Sequence, residues 1–161
     1  MNDKLFLNAI KLKGEFFPSW DEIPDKVWNT ILNDYFFKIS DSFGFAEVLE
    51  TKKLFPNGLE YFDDWNLREI GLVEFEKEIV CRFELNDNCK AKLLQYDFAI
   101  HEKGMNPPRA YLEYDIEHYY YEFDILYFFK GDELKGYYIN HESMIGFVNN
   151  SSDLEVLDTI D

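Results

Sequence analysis

The sequence predicts an α+β fold: an N-terminal helical region followed by an antiparallel sheet of about five strands, with a helix packed on one sheet face. Three observations lead there. Apolar residues recur at helical spacing early in the chain, the repeat shortens to two from Leu72 onward, and the helical and strand patterns are segregated. Segregation argues against a doubly wound nucleotide-binding fold, which needs strands and helices in alternation. At 161 residues the chain suits one domain, 1–161, with a core that needs no disulfide or metal staple. No internal repeat, low-complexity run or linker-like stretch divides it.

The clearest helix is expected over residues 24–39, where Val27, Trp28, Ile31, Leu32, Tyr35, Phe36 and Ile39 share one side and Asp25, Lys26, Asn29, Asn33 and Lys38 the other. Pro24 suits its first turn, and Ser19 with Glu22 has the spacing of a capping box for a short preceding turn. A second short helix is expected over 45–54, stopped by Pro56, Asn57 and Gly58. Residues 1–17 read equally as helix or strand. Asp64 is positioned to cap a further helical stretch through Ile70.

From Leu72, one long strand is expected with Val73, Phe75, Ile79, Cys81, Phe83 and Leu85 on one face and Glu74, Glu76, Glu78, Arg82 and Glu84 on the other. Asn86, Asp87 and Asn88 have turn chemistry, which would return the chain as a second strand from Cys89 to Ile100 with a shift of parity near Leu94. On that hairpin Cys81 and Cys89 could face each other, although two reduced thiols are the simpler expectation. After a loop at 105–108, Leu112, Tyr114 and Ile116 alternate with Glu113, Asp115 and Glu117. The parity then flips to Tyr119, Tyr121, Phe123 and Ile125, which places a bulge or bend at 117–120. Gly131, Asp132 and Gly136 would turn the chain into a strand through Tyr137, Tyr138 and Ile139. Residues 145–148 can add another, and 151–161 can close with a short capped helix or fray.

Charge narrows the function. Sixteen Lys and Arg stand against 32 Asp and Glu, a formal net charge of −16, which disfavours direct binding to nucleic acid. The excess grows along the chain: seven cations to nine acids in 1–53, six to eleven in 54–104, and three to twelve in 105–161. Thirty aromatic residues accompany it, so the acidity is not that of a disordered chain. No apolar run spans a membrane and the N-terminus lacks a secretory core, so a soluble cytoplasmic protein is expected.

Catalytic signatures are missing. The glycines are too scattered to cradle phosphate, His101, His118 and His141 lack zinc-peptidase spacing, and no nucleophile elbow occurs, so no cofactor or metal is expected. Two groupings carry residue types suited to chemistry. Asp115, Glu117 and His118 offer metal-type ligands, but on a strand His118 points away from the two acids unless the chain bends. Asp63 and Asp64 could share a proton, but a helix start capped by Asp64 is the better reading of them.

Acidic rows are the remaining feature. Same-face residues on a strand lie roughly 6.8 Å apart, so Glu74, Glu76 and Glu78, and likewise Glu113, Asp115 and Glu117, would present regular anions like those of a nucleic-acid strand. Solvated strand faces are the ordinary explanation of either row alone. Surplus tyrosines at 111, 114, 119, 120, 121, 127, 137 and 138 tip the balance towards an interface, because Tyr supplies contact area at low entropic cost. The expected partner-binding residues are therefore Glu74, Glu76, Glu78, Glu113, Asp115, Glu117, Tyr119, Tyr121, Glu122 and Asp124.

A small acidic α+β chain with acidic aromatic segments such as Glu113 to Asp124 and no enzyme motif resembles the immunity proteins that bacteria make beside secreted or contact-delivered toxins. The likeness covers the whole chain in composition and no part of it by a diagnostic motif. It implies an inhibitor of a cognate basic toxin, often a nuclease, bound at or beside the toxin's active site. Two other readings compete: a small-ligand or carbohydrate-binding domain with stacked Tyr and Trp, and a metal-dependent enzyme built on His118 and its acidic neighbours. Oligomeric state is open.

Overall fold

The computed structural model describes residues 15–16, 25–45, 64–75, 78–95, 125–139 and 144–148. Residues 25–39 form one continuous helix, α1, as the apolar stripe predicts. It begins as α-helix at Asp25–Ile31, widens to a π-helical segment at Leu32–Phe36 and closes with an α turn at Phe37–Ile39. In the π segment the Phe37 N–H donates to the Leu32 carbonyl, five residues back. The wider turn brings three successive rings, Tyr35, Phe36 and Phe37, into the core.

Seven strands follow the order β1-β7-β6-β5-β2-β4-β3, and every neighbouring pair is antiparallel. They are β1 (Glu15–Phe16), β2 (Ser42–Phe45), β3 (Glu69–Phe75), β4 (Glu78–Glu84), β5 (Ile125–Lys130), β6 (Glu133–Ile139) and β7 (Met144–Phe147). The α+β class and antiparallel sheet match the expectation, but the sheet is larger: six strands of at least four residues, plus the two-residue β1 at one edge. Segregation is also incomplete, because β2 follows α1 directly and lies between β5 and β4. Phe45, expected in a second helix, ends β2 instead; residues 46–54 of that expected helix lie outside the described residues.

One sheet face carries the main core. Phe43, Phe45, Cys81, Phe83, Leu126, Phe128, Tyr138, Ile145 and Phe147 pack with Trp28, Ile31, Leu32, Tyr35 and Phe36 of α1. The Phe36 ring stacks on Phe128 at 4.5 Å and lies parallel to Phe147 at 5.8 Å. Gly136 makes room for it: a Cβ there would stand 2.4 Å from the Phe36 ring. The opposite face holds a smaller cluster of Val73, Val80, Tyr127 and Phe129, with Ile125, Leu134 and Tyr137 packed against it. Four successive residues of β5, Leu126 to Phe129, are therefore buried on alternating sides.

Two sequence expectations fail for identifiable reasons. The long strand from Leu72 is a hairpin, with β3 and β4 paired through Leu72↔Cys81, Val73↔Val80, Glu74↔Ile79 and Phe75↔Glu78. Facing residues on antiparallel strands share a face, so Val73 and Cys81 lie on opposite faces although they have the same parity in sequence. Between Phe75 and Glu78, which face each other, the sequence offers Glu and Lys and no typical turn residue, which is why the alternation reads through the hairpin.

The returning strand from Cys89 is instead helix α2 (Asp87–Leu93). Asn86 is its N-cap: the backbone is extended, and the side chain accepts from the Cys89 N–H at 2.9 Å. Asn and Asp serve turns and N-caps equally well, so the Asn86 to Asn88 signal is ambiguous. Burial of Cys89 and Leu93, one helical turn apart, favours the helix. Cys81 and Cys89 are accordingly two buried free thiols.

Asp64 does not open a helix either. Asp64 and Trp65 form a single 3₁₀ turn, Asn66 stops it at φ 53°, and the chain enters β3. By contrast, the turn at Gly131 and Asp132 joins β5 to β6 as expected, with Gly131 at φ 56°, and β7 covers most of residues 145–148.

Candidate functional site

The β3–β4 hairpin combines the features expected of a binding surface. Leu72 and Ile79 share the face of Cys81 and Phe83, yet each is 53% exposed, and Ile70 beside them is 41% exposed. These are the large apolar side chains that stand out among the described residues as solvent-facing. Glu69 and Glu74 are exposed on the same strand, and their register partners Phe83 and Ile79 put them on the same face as Leu72. The edge therefore reads acid, aliphatic, acid, with Ile79 alongside. A bulge between Glu69 and Gly71 makes Ile70 the extra residue of the ladder.

Coverage explains the exposure. The rings of α1 pack against β5, β6 and β7, where Trp28 meets Tyr138 and Phe36 meets Phe128 and Phe147. Trp65 and α2 extend the cover next to α1. The Trp65 ring packs on Phe43 and Phe45 at 6.4 and 6.1 Å, and its carbonyl accepts from the Cys89 thiol at 3.4 Å. Asn88 Nδ2 donates to the Asp64 carbonyl at 3.1 Å, and Lys92 Nζ pairs with the Asp64 carboxylate, tying α2 to the same turn. The cover ends before Leu72 and Ile79.

Among the described residues, the arginines of this region hold strand ends. Arg68 pairs with Glu84 at 3.5 Å. Arg82, facing the other side of the sheet, reaches the β5–β6 turn, where Nη1 donates to the Gly131 carbonyl and Nη2 lies 3.5 Å from Asp132 Oδ1. The same turn is held by Asp41, whose carboxylate accepts from the Gly131 N–H at 3.1 Å and lies 3.8 Å from Lys130 Nζ. Lys135, buried in a bulge of β6, pairs with Glu133 at 3.3 Å. These contacts lock strand ends together and account for the mixed charge there without a ligand.

Of the partner-binding residues expected from sequence, Glu74 is on the exposed hairpin face. Glu78 begins β4 across from Phe75, one register step from Glu74↔Ile79, so Glu74, Glu76 and Glu78 cannot form the evenly spaced row of a single strand. The chain reverses between them. Glu76, Glu113, Asp115, Glu117, Tyr119, Tyr121, Glu122 and Asp124 lie outside the described residues, as do Asp63, His118 and the bend expected at 117–120.

The described tyrosines are mostly interior: Tyr35, Tyr127 and Tyr138 are buried and Tyr137 half-buried. Trp28 and Trp65 are also core residues. Sequence reasoning missed Ile70, Leu72 and Ile79. The available signal was length, since an alternation of fourteen residues from Leu72 to Leu85 exceeds the usual strand of five or six.

Among the described residues no group of three His, Cys, Asp or Glu side chains could hold a metal ion, and no helix is long and apolar enough to cross a membrane. Burial pushes the Cys89 thiol above its ordinary pKa, Glu84 adds to the rise, and hydrogen bonding from Asn86 opposes it. That environment suits a core thiol and not a nucleophile. Comparison with protein-family models, with curated proteins and with solved structures returns no match to the chain.

Proposed function

We propose that this chain is a cytoplasmic binding protein of the immunity type, which neutralises a basic toxin by occupying its cationic surface. The observation that carries the reading is the exposed aliphatic group Ile70, Leu72 and Ile79 set beside Glu69 and Glu74, on a chain of net charge −16. The two halves of that surface do different work. Long-range charge steers a cationic partner and can raise association from about 10⁵–10⁶ towards 10⁸–10⁹ M⁻¹s⁻¹ at low salt. Burial of the aliphatics then slows release, because apolar contacts survive screening.

The chain acts by binding and not by catalysis. The acidic segment from Glu113 to Asp124 and its tyrosines belong to the same proposal as a second contact region, known from sequence alone. Burial of Trp28 and Trp65 in the core removes two of the three tryptophans on which a stacked-sugar site would have drawn.

Co-expression with the product of the neighbouring gene tests the proposal. The expected result is a basic protein that co-purifies in one-to-one ratio, dissociates faster as salt rises, and is toxic only when this chain is withheld. A neighbouring product that neither binds nor is neutralised, or a complex indifferent to salt, contradicts it.

A further inference from the structure

Resting on that reading, we infer that the basic partner docks an extended segment onto the outer edge of β3, adding a strand to the sheet. Among the described residues β3 is a sheet edge, with β4 on one side and no strand on the other. Every second residue of such a strand turns its N–H and C=O away from its neighbour, leaving a template for another chain. The opposite edge, β1, has two residues and β3 has seven, so β3 is the better template.

Edge strands are usually protected by charge, shortness or a bulge. β3 has its bulge at one end, between Glu69 and Gly71, while residues 71–75 pair one-to-one with β4. Among the described residues no strand pairs with this regular part, and Leu72 is exposed in its middle.

Charge selects the occupant. A second copy of this chain would bring another −16 and set Glu69 and Glu74 near their own counterparts, so self-pairing is opposed. An incoming strand in which every second residue is by turns basic and apolar, so that both kinds fall on the face of Glu69, Leu72 and Glu74, has neither defect. Its apolar side chains extend the Leu72 and Ile79 surface, and its cations reach Glu69 and Glu74.

An acetylated, amidated peptide of about nine residues, with Lys and Val taking turns at its odd positions and Thr at its even ones, provides the probe, with two analogues N-methylated at the odd or at the even positions. Binding is read by fluorescence anisotropy, and amide hydrogen exchange is followed across the sheet of the full chain. The expected result is binding with added protection of amides in β3, weakened tenfold or more by methylation of one set of positions and little by the other. Salt-sensitive binding that ignores both methylations and leaves β3 exchange unchanged overturns strand addition while leaving acidic capture standing. Failure to bind the peptide by a chain that still captures its basic neighbour also overturns strand addition, and failure with both sinks the two readings together.

Discussion

Over β5, β6 and β7 the helix-facing side of the sheet carries Leu126, Phe128, Tyr138, Ile145 and Phe147, all buried under α1, whereas on the β3–β4 hairpin the same side carries Leu72 and Ile79, each more than half in solvent. Side-chain type does not separate these regions, since both are apolar. Cover separates them. At the centre, π-widened α1 lays Phe36 between Phe128 and Phe147 above Gly136, and at the hairpin no described helix reaches. Apolar area already buried stabilises the fold, whereas apolar area left in water is available to a partner.

Mutations should break this contrast most strongly at the centre. Phe36→Ala is expected to cost about 3–5 kcal/mol in urea unfolding, because stacked rings on both sides would border a cavity. Gly136→Ala should cost about 1–3 kcal/mol in the same measurement, since the new methyl group meets both the Phe36 ring and the Gly146 carbonyl at 2.8 Å. At the other end, Leu72→Ala should change stability by less than about 0.5 kcal/mol while weakening partner binding. A loss of stability comparable to that of Phe36→Ala would place Leu72 in the core and erase the contrast.

A pH experiment sharpens it on the covered side. The Cys89 pKa is raised in the folded state, so the thiol stays protonated there after the unfolded chain has begun to ionise. The unfolded state then binds fewer protons, and stability falls as pH rises. This contribution is fully present below the ordinary value of 9.0 and is lost as pH climbs from there through the raised folded value. Comparing urea unfolding of the wild type and Cys89→Ala on either side of pH 9.0 should show a flatter decline in the variant; equal slopes would contradict the burial of the thiol. The smallest expected effect is that of Glu74→Gln, which should slow association with a basic partner modestly at low salt and leave dissociation nearly unchanged.

Much of the covered region was readable from sequence, because α1 displays its stripe plainly and the β5–β6 turn announces itself through Gly131 and Asp132. The exposed region was not. The sequence between Phe75 and Glu78 holds no typical turn residue, and a hairpin that pairs those two residues hides inside a period of two while exchanging the faces of everything beyond it. That single ambiguity exchanged the faces of Leu72 and Val73 relative to Cys81 and dissolved the row of Glu74, Glu76 and Glu78, while the exposure of Ile79 follows from missing cover. At α2 the difficulty was chemical, since Asn86 caps a helix with the same side-chain acceptor that would stabilise a turn. The π segment left no sequence signal beyond the three adjacent aromatics at 35–37, which a regular helix would not bury together.

The most direct measurement pairs folding with binding in one variant, Leu72→Ser combined with Ile79→Ser. Urea unfolding and titration with the lysine–valine peptide would be run on the same preparation. Unfolding free energy within about 1 kcal/mol of wild type, together with at least a tenfold loss of peptide affinity, is the predicted result. An unfolded variant, or one that binds as tightly as the parent, would show that these side chains support the fold or face empty solvent and do not form the docking surface.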